Sequence, residues 1–138
     1  MDSLVARREP RDGHPESPNL EMIRAAFEVS VQQGFMPGLE ALLEHAREDC
    51  EFRPYIAPGD SLRGHDAIRA FYRAAFEAGT DMRLRAISFQ EVGDAVIVYG
   101  SMRVGRPSGG FSESQISWTY KFREGRLAQA SWSPRRVA

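Results

Sequence analysis

Cysteine is almost missing from this chain: Cys50 stands alone in 138 residues. A disulfide scaffold and a cysteine-built zinc site are thereby excluded. Histidine is scarce too, and His14, His45 and His65 are too scattered to share a metal-ligand spacing, so no metal is expected. Net charge is only -1, too little for a field that would recruit nucleic acid or an anionic membrane. No apolar run approaches the ~18 residues of a membrane span. No charged-then-apolar signal segment opens the sequence, so a cytoplasmic location is expected. There is no nucleophile elbow, and no glycine-rich loop joins a strand to a helix, so no phosphate-bearing cofactor is expected. Arg135-Arg136 is too small a basic cluster to hold nucleic acid.

What is present suits one folded domain. Apolar residues make up 42%, charged residues 27% and aromatic residues 10% of the chain. At this length folding buries roughly two thirds of the unfolded surface. Residues 1–18 hold three prolines among charged residues and read as a disordered N-terminal tail. The folded domain is expected over 19–134, with a short C-terminal tail at 135–138.

Ser17-Pro18 reads as an N-cap followed by proline in the first turn. Leu20, Ile23, Phe27 and Val31 then recur on one helical face, and Gly34 ends the helix. A second helix is expected from Pro37, with Leu39, Leu42, Leu43 and Ala46 as its buried stripe. Cys50 to Ile56 reads as a short strand, and 57–64 as a loop. A third helix, from His65 to Ala78, would bury Ile68, Phe71, Tyr72, Ala75 and Phe76. The period then changes to two. Arg83 to Glu91, Ala95 to Val104, Glu113 to Phe122 and Arg126 to Ser133 read as four strands joined by turns, an antiparallel meander. Helices followed by a run of strands is the α+β pattern.

Three stretches carry a family resemblance: Arg63-Gly64-His65-Asp66-Ala67-Ile68-Arg69-Ala70-Phe71-Tyr72, Gly93-Asp94 before an apolar strand, and Tyr120-Lys121-Phe122-Arg123-Glu124-Gly125-Arg126-Leu127. Their order and spacing resemble the SnoaL-like branch of the nuclear transport factor two and ketosteroid isomerase superfamily. The resemblance implies a curved antiparallel sheet wrapped by N-terminal helices into a cone, a cystatin-like α+β barrel. It also implies a small-molecule pocket in the hollow and a homodimer through the convex sheet face.

Strand alternation assigns the two faces. Ser114, Ile116, Trp118, Tyr120 and Phe122 should point inward, as should Val96, Val98, Gly100, Met102, Ala130 and Trp132. Gln115, Ser117, Thr119, Lys121, Tyr99, Ser101 and Arg103 should point outward. Gly100 either leaves room for a ligand or lets the sheet bend. The expected ligand wall is therefore Phe27, Phe52, Phe71, Val98 and Met102 together with Ile116, Trp118, Tyr120 and Trp132, with Tyr72 adding a hydroxyl. Such a wall suits a small hydrophobic molecule. The same side chains could simply fill the core, since burying each stabilises the fold by roughly 1.5–3 kcal/mol.

Catalytic machinery is harder to find. Laid on this chain, the catalytic aspartate of ketosteroid isomerase falls at Pro54, its oxyanion-hole tyrosine at Phe27 and its protonated aspartate at Trp118. Only Tyr72 matches one of that enzyme's supporting tyrosines, so that activity is not expected. The Asp–Arg–Asp set of limonene-epoxide hydrolase and the aspartate and histidine of the polyketide cyclase find no inward carboxylate on these strands. The first expectation is a binding protein with no identified catalytic residue. The alternative is an isomerase, cyclase or epoxide hydrolase using Tyr72, Tyr120 or His65, and a third class is a protein-interaction module working through the sheet face.

Overall fold

The computed structural model describes residues 16–54 and 61–134. Most of the expected N-terminal tail, the C-terminal tail, and Tyr55, Ile56 and 57–60 lie outside the described residues. The elements in chain order are α1 (Pro18–Gln33), α2 (Phe35–Leu43), β1 (Ala46–Arg53), β2 (Leu62–Arg63), α3 (His65–Glu77), β3 (Asp81–Val92), β4 (Ala95–Gly105), β5 (Phe111–Arg123) and β6 (Arg126–Pro134).

Helix α1 begins where its cap predicts. Ser17 Oγ accepts from the Leu20 amide at 3.1 Å, and Pro18 occupies the first turn. Arg24 reaches back to Glu16 at 2.8 Å. The buried face is Ile23, Ala26 and Phe27. Val31, expected on that face, is instead 69% exposed, because the last turn of α1 meets α2 through Ser30. A Cβ on Gly38 would lie 2.6 Å from that of Ser30, so the two helices touch where one of them carries no side chain.

Helix α2 starts at Phe35, two residues before the expected Pro37, and buries Phe35, Leu39, Leu42 and Leu43. Ala46 is buried, but it opens β1 rather than extending the helix. That strand therefore starts four residues before Cys50. The segment expected to be wholly loop contains β2, which pairs antiparallel with β1 through Phe52 and Leu62. In α3 only Ile68 and Tyr72 are buried; Phe71, Ala75 and Phe76 are half-buried.

The six strands form one curved, unclosed sheet in the order β2-β1-β6-β5-β4-β3. The expected meander is present: β3 to β6 pair successively and antiparallel. The sheet is not antiparallel throughout, because β1 joins β6 in parallel, with the Leu127 amide donating to His45 O at 2.9 Å. An α+β architecture results, with the helices lying on one face of the sheet.

Alternation holds along the central strands. Val96, Val98, Gly100 and Met102, then Ile116, Trp118, Tyr120 and Phe122, then Ala130 and Trp132, are all buried. Gln115, Lys121 and Arg103 are exposed, while Tyr99, Ser117 and Thr119 are half-buried. Ser101 is buried on the outer face at 7% exposure, which polarity alone would not foretell. Glycine at position 100 serves the strand pairing rather than a ligand. A Cβ there would sit 1.9 Å from Arg85 O, beside the irregularity in β3 between Ala86 and Ser88.

Candidate functional site

The interior between the helices and the sheet is a continuous run of aromatic rings. Phe27 of α1 lies edge-on to Phe89 (5.9 Å between ring centres), Trp118 (5.2 Å) and Tyr120 (6.2 Å). Trp118 meets its cross-strand neighbour Trp132 at 6.2 Å and 77°. Trp132 stacks on Tyr72 of α3 at 5.9 Å and 26°, and both touch Phe35 of α2. Each edge-to-face pair adds about 0.5–1.5 kcal/mol beyond the area it buries. The rings are thus held by α1, α2, α3, β3, β5 and β6 together.

A cleft opens into this interior between α1, α2 and the sheet. Its walls are Ala26, Phe27 and Ser30 of α1, Phe35, Gly38, Leu39 and Leu42 of α2, and Phe52, Leu84, Tyr120 and Trp132 from the strands. The centre of a water-sized sphere has about 30 Å³ to move in, so the cleft holds a few waters at most. The expected hollow is, in this form of the protein, largely filled by its own aromatic side chains.

The ten expected wall residues fall into three groups. Phe27, Phe52, Tyr120 and Trp132 line the cleft. Val98, Met102, Ile116, Trp118 and Tyr72 are buried in the ring-packed interior without lining it. Phe71 is half-buried and meets Tyr72 edge-on at 5.0 Å, away from the cleft wall. Sequence reasoning missed Ala26 and Ser30 of α1, Phe35, Gly38, Leu39 and Leu42 of α2, and Leu84 of β3 as wall residues. The helical period could have found Ala26 and Ser30, which share a face with Ile23 and Phe27.

The cleft is electrically quiet. Among the described residues, the buried set contains no Asp, Glu, Lys, Arg or His. Burial pushes the Tyr72 phenol well above its ordinary pKa, and burial together with the nearby Tyr72 does the same for Tyr120. Both phenols therefore keep their protons at neutral pH. Among the described residues, two buried polar atoms, Tyr72 Oη and Trp118 Nε1, have no hydrogen-bond partner.

The charged groups near the cone lie elsewhere. His65 Nε2 is 3.3 Å from Ala46 O and 3.1 Å from Arg47 O, where a protonated nitrogen donates and ties the start of α3 to β1. It does not line the cleft. On β1, Glu51 is neighbour to the inward Phe52 and so faces the outer side. Its carboxylate accepts from Ser61 and from Gln129 at 3.2 Å, and these bonds with the Arg53 charge hold its pKa below the ordinary range. Arg103 is exposed and lies over the Phe111 ring at 3.6 Å. Among the described residues no group of three His, Cys, Asp or Glu side chains could hold a metal ion, and no helix is long and apolar enough to cross a membrane.

Comparison with known proteins adds the following. A family model described as a SnoaL-like domain matches residues 23–130. Among solved structures, an NTF2-like protein of unknown function from Burkholderia pseudomallei K96243 is similar, with 23% identity and a TM-score of 0.72 over 87% of this chain and 92% of that one. TerC, co-crystallised with polyporic acid, shares 25% identity at a TM-score of 0.71, covering 86% of this chain and 92% of its own. A candidate polyketide cyclase from Xanthomonas campestris pv. campestris has the same fold at 14% identity and a TM-score of 0.68, with 83% and 88% of the two chains covered. No curated protein matches the sequence.

Proposed function

Since the chain belongs to the SnoaL-like domain family, we propose that it binds a small, uncharged, aromatic or otherwise hydrophobic molecule between its helices and its sheet. The observation that carries this reading is the cleft itself, which leads between α1 and α2 to Phe27, Tyr120 and Trp132 and meets no ionised side chain. A wall of rings with few polar groups favours a ligand of the same character. The likeness to TerC, a protein co-crystallised with polyporic acid, supports it.

The cleft is far below the ~300–1,000 Å³ of an occupied ligand site. Binding therefore requires a form in which α1 and α2 stand further from the sheet, and a ligand shifts the population toward that form. An acid–base role finds little support in the cleft. His65 is engaged with β1, and burial keeps the two tyrosines protonated, so neither serves as a base.

A thermal-shift and saturation-transfer NMR screen of steroids, terpenoids and aromatic polyketides tests the proposal. Ligands should raise the melting temperature, and Ala26→Leu, which adds carbon atoms to the cleft wall, should abolish binding while the circular dichroism spectrum is retained. Ligands that bind Ala26→Leu as well as the parent would place the site elsewhere. We further propose that the outer sheet face, with Tyr99, Ser117 and Thr119 half-buried at its centre, joins two copies of the chain.

A further inference from the structure

Independently of any ligand, we infer that the groove between α1 and β3 is the seat of the chain's own N-terminal segment, with Leu4 and Val5 covering Val31 and Ile87. The groove is walled by Arg24, Glu28 and Val31 of α1 and by Arg85, Ala86 and Phe89 of β3. The centre of a water-sized sphere has about 280 Å³ to move in there, against about 30 Å³ in the cleft. Val31 and Ile87, at 69% and 62%, are the most exposed large apolar side chains among the described residues. Ile87 follows Ala86 at the irregularity in β3, and β3 is the sheet's outer strand, paired on one side only among the described strands. Bare apolar groups beside an unpaired strand edge are a liability that folded proteins cover.

The start of the described chain points to what covers them. Residues 1–15 precede Glu16, and the contacts made just after them lead into the groove. Ser17 donates to Glu91 of β3, Glu16 accepts from Arg24 at 2.8 Å, and the Arg24 guanidinium lies 4.5 Å from the centre of the Phe89 ring. A chain leaving Glu16 toward its N-terminus therefore starts between the two walls. Reach is ample. From Pro18 to Val31 the helix rises about 20 Å, whereas the stretch from Val5 to Ser17 spans up to about 40 Å when extended. The slack accommodates a bend, for which Asp12-Gly13 is a turn dipeptide. Leu4 and Val5 are the only branched apolar side chains in the segment. Charge agrees with this direction. With Leu4-Val5 at Val31, Arg7 and Arg8 come level with Glu28, about one turn nearer the start of α1.

A nitroxide spin label on Ser3→Cys reads the placement in the full chain by NMR, since Cys50 is buried and stays unlabelled. The amide signals of Val31 and Ile87 should be bleached, while that of Gln129, on the outer side of β6, keeps its height. The double variant Leu4→Asp, Val5→Asp should restore both signals. Val31→Asp should by itself restore that of Ile87; position 31 is exposed, so this substitution leaves the core untouched. Unbleached signals in the labelled parent would overturn the inference. Bleaching that either variant leaves unchanged would do so too, as the mark of a segment merely tethered nearby. In a mixture of spin-labelled chains without nitrogen-15 and nitrogen-15 chains without the label, Val31 and Ile87 should keep their full signals. Bleaching in that mixture would hand the groove to the segment of a second copy and overturn the seat within one chain. None of these results bears on the ligand reading.

Discussion

Gly100 shows how much one missing side chain can decide. Its α-carbon lies against β3, and the Arg85 carbonyl occupies the place of a methyl group. Gly100→Ala should destabilise the protein by about 2 kcal/mol, within the usual range for forcing atoms into a packed site, and its urea midpoint relative to the parent measures this. A parent-like midpoint would mean that β3 gives way freely. Both uses of this glycine, bending and ligand space, were open in the sequence; the nearness of a neighbouring backbone was not, because it depends on an irregularity in β3 that local pattern does not reveal. The inward set from Ile116 to Trp132 was legible for the opposite reason. Strict alternation between large apolar and polar residues leaves a strand one way to face. Val31 left its expected place because the contact of α1 with α2, absent from the periodicity of one helix, falls on Ser30 instead.

The long strands and the hairpin between β5 and β6 could be read from period and turn chemistry. Arg123 faces Arg126 across a two-residue turn in which Glu124 (φ 55°) and Gly125 (φ 79°) both take left-handed backbone angles. Glycine does this freely, whereas glutamate is held there at a cost of about 1–2 kcal/mol. Glu124→Asn should raise stability by about 1 kcal/mol, checked by denaturant unfolding, because asparagine tolerates that region better. The ion pair lost with Arg47 matters little, as Glu124 is 83% exposed. Strands β1 and β2 were much less legible. The first half of β1, Arg47-Glu48-Asp49, is charged and lacks apolar alternation, and β2 has only two residues. They are strands because β6 supplies the partner of β1, from far along the chain, and β1 in turn supplies that of β2. The start of α2 was missed by two residues because Gly34 separates it so tightly from α1 that no loop marks the break. That same economy hid Phe35 from the predicted cleft wall.

For the molecule as a whole, the α+β class followed from the order of the elements and the curved sheet was implied by the family resemblance, whereas the volume inside could be read from neither. Residue types say which rings face inward; how fully they fill the space depends on rotamers and helix placement together. The proposed pairing of outer sheet faces is a prediction at this scale. Light scattering after size exclusion should give twice the mass of one chain, and Ser117→Arg, at the middle of β5, should reduce it to that of a single chain. A parent protein already eluting with the mass of one chain would remove the pairing. The parallel join of β1 to β6 carries a different consequence. It brings Ala46 beside Leu127 and Phe52 beside Ala130, some eighty positions apart, so a large entropic cost of closure precedes any gain from the contact. On the ribosome the early helices must wait, their greasy sides uncovered, until translation has delivered the stretch around Trp132. During that interval the nascent chain is a natural client for chaperones.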